Sequence, residues 1–256
     1  MEKEYTEINS KTIDSWAENG WEWSVPATHE EYVKAKNGEW SVVLTPQKSV
    51  PAEWFAPFIK SGRLDGVKLL GLASGGGQQM PIFSALGADC TVLDNSERQI
   101  ENDKLVAKRE GYEIRAIKAD MTKRLPFDNE VFDVIFHPVS NCYIEDVYHV
   151  WNECFRVLKK GGVLLAGLDN GLNYLFEESN PLLIVNKLPY NPLKDKELYE
   201  RCIKGDGSLQ FSHSLEEQIG GQLKAGFTLT DLYEDRGTDI LGEYLPAFWA
   251  TRAVKP

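Results

Sequence analysis

Five short apolar runs alternate with helix-like stretches between residues about 66 and 170, and no other feature restricts the fold of this chain so tightly. The runs are "VKLLGLA", "DCTVLD", "YEIRAIKAD", "VFDVIFHPVS" and "VLLAGL". That alternation predicts an α/β fold, doubly wound, with a mostly parallel sheet covered by helices on both faces. After the second run, Ser96 and Gln99 have the spacing of a capping box. They predict a helix over about 97–110, with Gly111 as its left-handed stop. After the fourth run, Val147, Val150, Trp151, Cys154, Phe155 and Leu158 recur at helical spacing. This stripe is expected to face the sheet, and the helix to run on to Gly161-Gly162 before the fifth strand.

The flanks read differently. Residues 1–62 hold Trp16, Trp21, Trp23, Trp40 and Trp54, five of the seven tryptophans. A segment so rich in aromatics is a folded N-terminal cap and not a disordered tail. Residues 63–256 make the main domain, interrupted over 171–213 by an insertion with Pro181, Pro189 and Pro192 that is placed over the site. Ser214 and Glu217 then cap a helix that Gly226 ends, and "FTLTDLYED" and "LPAFWATRAV" read as two closing strands. The formal charge is −11 with no block of like charges, which argues against nucleic acid or an anionic membrane as partner. Cys90, Cys142, Cys154 and Cys202 form no C-x-x-C pair, so neither a metal site nor a disulfide framework is expected. The charged N-terminus and the lack of a long apolar run make a cytoplasmic protein the expectation.

The first run ends in "SGGGQQMP". Gly75, Gly76 and Gly77 clear side chains from a strand-to-helix turn, so a ligand can approach bare backbone beside the amides that open the next helix. Pro81 suits that helix's first turn. Asp94, about 20 residues on at the end of the second run, is placed to accept hydrogen bonds from a ribose diol. Two glycine registers compete. G-x-G-x-x-G fits Gly71, Ala73 and Gly76 with one mismatch. The register acid-x-G-x-G-x-G fits Gly75 and Gly77, with Gly71 in place of the acid and Ala73 in place of the first glycine. The turn alone does not choose between them.

The downstream segments "ADMTKRLPFDNEVFDVIF" and "VWNECFRVLKKGGVLLAG" resemble the class I S-adenosylmethionine-dependent methyltransferases, over about residues 66–170. The resemblance implies a Rossmann-like sheet of seven strands with the last antiparallel, and S-adenosyl-L-methionine as cofactor. It places Leu72, Ala73, Ser74, Gly75, Gly76, Gly77 and Gln78 along the donor's amino-acid end. Asp94 would take the ribose hydroxyls, Asn95 would flank the adenine, Asp120 would meet its amino group and Met121 would pack on the ring. His137 would stand between donor and acceptor, as the candidate base, with Ser140, Asn141, Tyr143 and His213 on the acceptor side. The family acid that helps orient the donor's amino group is missing at Gly71, so either water or another residue must do it here. The implied reaction is in-line methyl transfer to a small-molecule acceptor. An NAD-dependent oxidoreductase and a catalytically silent module that binds the donor or its product, S-adenosylhomocysteine, remain as alternatives.

Overall fold

Each of the five apolar runs forms a strand in the computed structural model, which describes residues 2–177 and 180–256. They are β1 (Lys68–Leu72), β2 (Asp89–Asp94), β3 (Arg115–Lys118), β4 (Phe132–His137) and β5 (Leu158–Asp169). A small hairpin, β6 (Phe176–Glu177) with β7 (Asn180–Ile184), stands apart, and β8 (Thr228–Asp235) and β9 (Phe248–Val254) complete the sheet. The seven-stranded order is β3-β2-β1-β4-β5-β9-β8. All neighbours through β5 pair in parallel, and β9 runs antiparallel to both β5 and β8, as expected for the last strand. The order reverses between β1 and β4. A crevice beyond the carboxyl ends of these two strands is where such sheets accept ligands.

The helices are α1 (Glu2–Glu18), α2 (His29–Lys36), α3 (Gln79–Ala85), α4 (Glu97–Glu110), α5 (Val147–Val157), α6 (Lys196–Lys204), α7 (Gly221–Ala225) and α8 (Leu241–Tyr244). One face of the sheet buries Phe136 against Phe55 and Phe83. The other buries Leu70, Leu72 and Ile135 against Trp151 and Cys154 of α5. The α4 boundaries are as expected, with Gly111 at φ +73° and the Ser96 hydroxyl accepting from the Gln99 amide at 3.1 Å. The reciprocal arm of the box is not made. Gln99 instead turns its side chain towards the Trp23 carbonyl, 3.4 Å away.

Two elements depart from the sequence expectation. α5 stops at Val157, and "LKKGG" is already strand, kinked by a bulge opposite Phe132–Val134. Lys255 fixes this stretch: its Nζ donates to the Leu158 carbonyl at 2.8 Å and its own carbonyl accepts from the Gly161 amide at 2.8 Å. The Ser214–Glu217 box does form, but the helix behind it opens as a π-turn over Glu216–Gly220 before α7 begins. There Gly221 lies so close to the Trp151 ring that a Cβ would stand 2.5 Å from it. The wider turn directs Gln218 wholly inward.

The five N-terminal tryptophans divide into two groups. Trp54 is buried with its indole N–H on Asp231 Oδ2 at 3.0 Å, and Trp40 packs edge-on to Phe55. These two seal their segment against the sheet. Trp16, Trp21 and Trp23 gather instead beside the carboxyl ends of the strands, where α1 crosses.

Candidate functional site

A cavity of about 230 Å³ lies at the carboxyl ends of β1 to β4. Of the residues singled out from sequence, Ala73, Ser74, Gly75, Gln78, Asp94, Asn95, Asp120, Met121, Ser140 and Tyr143 line it. Leu72, Gly76, Gly77, His137, Asn141 and His213 do not.

The glycine turn explains part of this division. Gly75 has φ +77° and faces the cavity, and a Cβ there would stand 3.0 Å from the Trp23 carbonyl. Gly76 faces α4, where a Cβ would come within 2.8 Å of the Gln99 Cα and 2.9 Å of the Asn102 Cβ. Gly77 combines φ +71° with a Cβ position 2.9 Å from Val106. Only the first glycine therefore offers backbone to the cavity, and the other two let the turn close onto α4. Ala73 keeps the left-handed conformation at φ +47° although it carries a Cβ, which costs about 1–2 kcal/mol.

Both acids reach the cavity from strand ends. Asp94 is 8% exposed, its Oδ1 accepts from the Ser96 amide at 2.8 Å, and burial pushes its carboxyl up to about 6. Asp120 Oδ1 accepts from the Thr122 amide at 2.8 Å. Asn95 is engaged by α1 on two sides: its Nδ2 donates to the Thr6 carbonyl at 2.8 Å and its carbonyl accepts from the Ser10 hydroxyl at 2.7 Å. Asn9 binds α1 to the far wall, donating to the Tyr143 and Leu209 carbonyls at 3.1 and 2.9 Å.

His137 does not have the surroundings of a general base. It is fully buried beside Trp151, its Nδ1–H donates to the Leu72 carbonyl at 2.8 Å, and Nε2 lies 2.8 Å from the Asn141 side-chain amide. Desolvation pushes its pKa below the ordinary value, so the ring is neutral. With Nδ1–H committed, Nε2 requires a donor, which Asn141 supplies when its NH₂ turns to the ring. With the Gln218 amide turned as well, its NH₂, otherwise without a partner among the described residues, donates to the Asn141 oxygen. Both ring nitrogens are thus spent on holding the β1 end to the 141–144 turn. His213 is likewise turned away from the cavity: its Nε2–H is shared by the Asn141 and Ile144 carbonyls, each at 3.0 Å. It fastens that turn from beneath, and Asn141, 1% exposed, is held within it.

Sequence reasoning missed Thr6, Asn9, Ile13, Gln79, Gln99, Phe248 and the Val43–Pro46 stretch, all in the cavity wall. The tryptophan density was a usable signal for Trp21 and Trp23. Nothing local marks 43–46, which is brought in by Asp235 at the end of β8, whose Oδ2 accepts from the Thr45 hydroxyl and from the Gln47 and Lys48 amides at 2.8–2.9 Å. Among the described residues of the wall, the only charged side chains are Asp94 and Asp120.

Residues 70–166 match the family described as a methyltransferase domain. The fold is also that of an S-adenosylmethionine-dependent methyltransferase from Mesorhizobium loti, with a TM-score of 0.62 at 18% identity, covering 80% of this chain and 98% of that one. Over 253 residues, 96% of this chain and 97% of the relative, the sequence is 43% identical to the uncharacterized methyltransferase YbaJ of Bacillus subtilis (strain 168). The chain belongs to the class I S-adenosylmethionine-dependent methyltransferases. S-adenosylmethionine is therefore the cofactor of this methyltransferase, and the nicotinamide alternative lapses. A more distant likeness, 32% over 105 residues, joins it to a sterol 24-C-methyltransferase of Aspergillus fumigatus, covering 40% of this chain and 28% of that protein. No helix among the described residues is long and apolar enough to cross a membrane.

Proposed function

We propose that this methyltransferase delivers the donor's methyl group in line to a small molecule with a largely apolar body and no anionic group. The observation that carries the proposal is the composition of the cavity wall: Trp21, Trp23, Ile13, Leu44, Tyr143 and Phe248 with two carboxylates and, among the described residues, no basic side chain. An acceptor with a phosphate or carboxylate would bring a buried charge without a partner, at a cost of several kcal/mol. The likeness to a sterol 24-C-methyltransferase points the same way.

The residues fit the donor. Asp94 keeps a carboxylate oxygen for the ribose hydroxyls while the other holds Ser96, Asp120 and Met121 frame the adenine, and Gly75 offers backbone to the amino-acid end. S-adenosylmethionine supplies a methyl group already activated on a sulfonium. What is left to the protein is alignment and the exclusion of water. The N-terminal segment 1–62 serves as the cap on the acceptor side through Trp21 and Trp23. The segment 205–213 supports it from outside, since Leu209 and Phe211 pack on Tyr5 of α1. Ser140 and Tyr143 are the polar groups placed to orient the acceptor, and with His137 committed elsewhere no general base is assigned.

The test is transfer of labelled methyl groups to matched acceptor sets: neutral or amine-bearing aromatics, the same compounds phosphorylated, and RNA. Label is expected in the first set. Label confined to the phosphorylated set or to RNA would refute the proposal.

A further inference from the structure

At the amino end of β3, away from the cavity, an open groove of about 480 Å³ is lined by Arg115, Arg124 and Asp128 together with Pro126, Phe127 and Val131. It shares no residue with the cavity wall. Both arginines are exposed, and neither makes a side-chain hydrogen bond or an ion pair among the described residues, Asp128 included. Every other arginine of the chain is engaged. Arg63, Arg98, Arg109 and Arg156 pair with carboxylates, and Arg201, Arg236 and Arg252 donate to amide or carbonyl oxygens. In a chain with a formal charge of −11, two guanidinium groups left free in one groove are an anion site in the making.

The groove is also built firmly. Arg156 donates to the Leu125 and Phe127 carbonyls at 3.0 and 2.7 Å, and Glu153, which neutralises it at 2.6 Å, accepts from the Leu125 amide at 2.7 Å. The Phe127 ring is set edge-on to Phe132 at 4.9 Å, and the Arg115 guanidinium lies over it, 5.4 Å from its centre. That cation–π contact places the Arg115 fork before a ligand arrives, which lowers the entropy cost of binding. A carboxylate has two oxygens and is satisfied by one such fork. A phosphate monoester has three free oxygens and close to two charges at neutral pH, and takes two.

We infer that this groove binds the phosphate monoester of a small molecule, with Arg115 and Arg124 on the phosphate and the apolar body of the ester against Pro126 and Val131. The inference is independent of the donor and acceptor placement proposed above.

The test is nuclear magnetic resonance titration of the nitrogen-labelled full chain with phenyl phosphate, inorganic phosphate, benzoate and a short single-stranded RNA. Phenyl phosphate should give saturable shifts at the amides of Arg115, Arg124, Phe127 and Asp128, and should bind more tightly than the other three. Arg115→Ala and Arg124→Ala should each weaken it about five- to thirtyfold, with amide positions elsewhere unchanged as the check on folding. Arg124→Lys, which keeps the charge but loses the fork, should fall between Arg124→Ala and the parent. Absence of saturable shifts at these amides, shifts that survive both alanine substitutions, or benzoate binding as tightly as phenyl phosphate would overturn the inference. Tighter binding of the RNA at the same amides would overturn it too, and assign the groove to a nucleic-acid backbone.

Discussion

Replacing Asp94 by Asn should make the free protein more stable and its donor site worse. The carboxyl is buried, and its pKa rises from an ordinary 3.8 to about 6, the largest cause being desolvation. At 1.36 kcal/mol per pH unit this corresponds to about 3 kcal/mol of folding stability withheld above pH 6. The sign follows from the direction. The folded state holds the proton more tightly than the unfolded state, so this destabilisation is absent below about pH 4, grows through the window to pH 6 and is complete above it. An amide cannot ionise, and its oxygen can still accept from the Ser96 amide. Asp94→Asn should therefore raise the thermal midpoint at pH 7.5, by at most about 6–12 °C for a chain of this length. On the donor placement proposed above, the same change removes the charged acceptor for the ribose hydroxyls. A hydrogen bond to a charged group is worth about 1.5–3 kcal/mol, so S-adenosylhomocysteine should bind about 10- to 150-fold more weakly. In the parent, affinity should fall as pH drops through 6, because the ribose hydroxyls require the ionised carboxylate, and the variant should lose this dependence. Scanning calorimetry and isothermal titration between pH 5 and 8 test both halves. An unchanged affinity would refute the ribose assignment, and a lowered midpoint would refute the desolvation argument.

Gly76→Ala should destabilise the fold by about 1–3 kcal/mol, because its Cβ would meet the α4 backbone, and S-adenosylhomocysteine affinity should drop with it; a melting midpoint equal to the parent's would refute the close approach. His137→Ala removes a fully buried ring and its two hydrogen bonds, so the midpoint should fall by about 5–15 °C by calorimetry, for a loss of about 2–4 kcal/mol. A midpoint that did not move would overturn its reading as a structural tie. The 230 Å³ cavity is smaller than the 300–1,000 Å³ typical of ligand clefts, so α1 should lift for the donor to pass. Asn9→Ala, which breaks the ties to Tyr143 and Leu209, should speed S-adenosylhomocysteine release about 5- to 100-fold in stopped-flow tryptophan fluorescence, and an unchanged rate would show that α1 is no gate.

The sheet was legible because its signals are local. An apolar run of five or six residues bounded by a turn is a strand wherever it occurs, and Ser96 and Gly111 mark the ends of α4 through their own backbone conformations. The end of α5 was not legible in the same way. "LKKGG" carries a plausible helix end, and what makes it strand is Lys255, nearly 100 residues away, reaching the Leu158 carbonyl. The same distinction runs through the site. Asp94, Asp120 and Gly75 reach the cavity from strand ends and the turn that follows, where topology alone places them.

His137 follows the same topology and still misses the cavity, which shows what strand position does not decide. The end of a strand fixes where a Cα stands, whereas the side chain goes to one face or the other according to its place in the pleat. At His137 that face is the one covered by α5 and the Gln218 π-turn, so the ring enters a buried polar chain that continues through Gln222 to Thr251. The next residues, Pro138 to Ser140, have left the strand and reach the cavity instead. On the reading proposed above, in which a sulfonium donor asks for alignment first, a neutral imidazole that pins Leu72 to the 141–144 turn would set the distance between the glycine turn and the Ser140–Tyr143 wall.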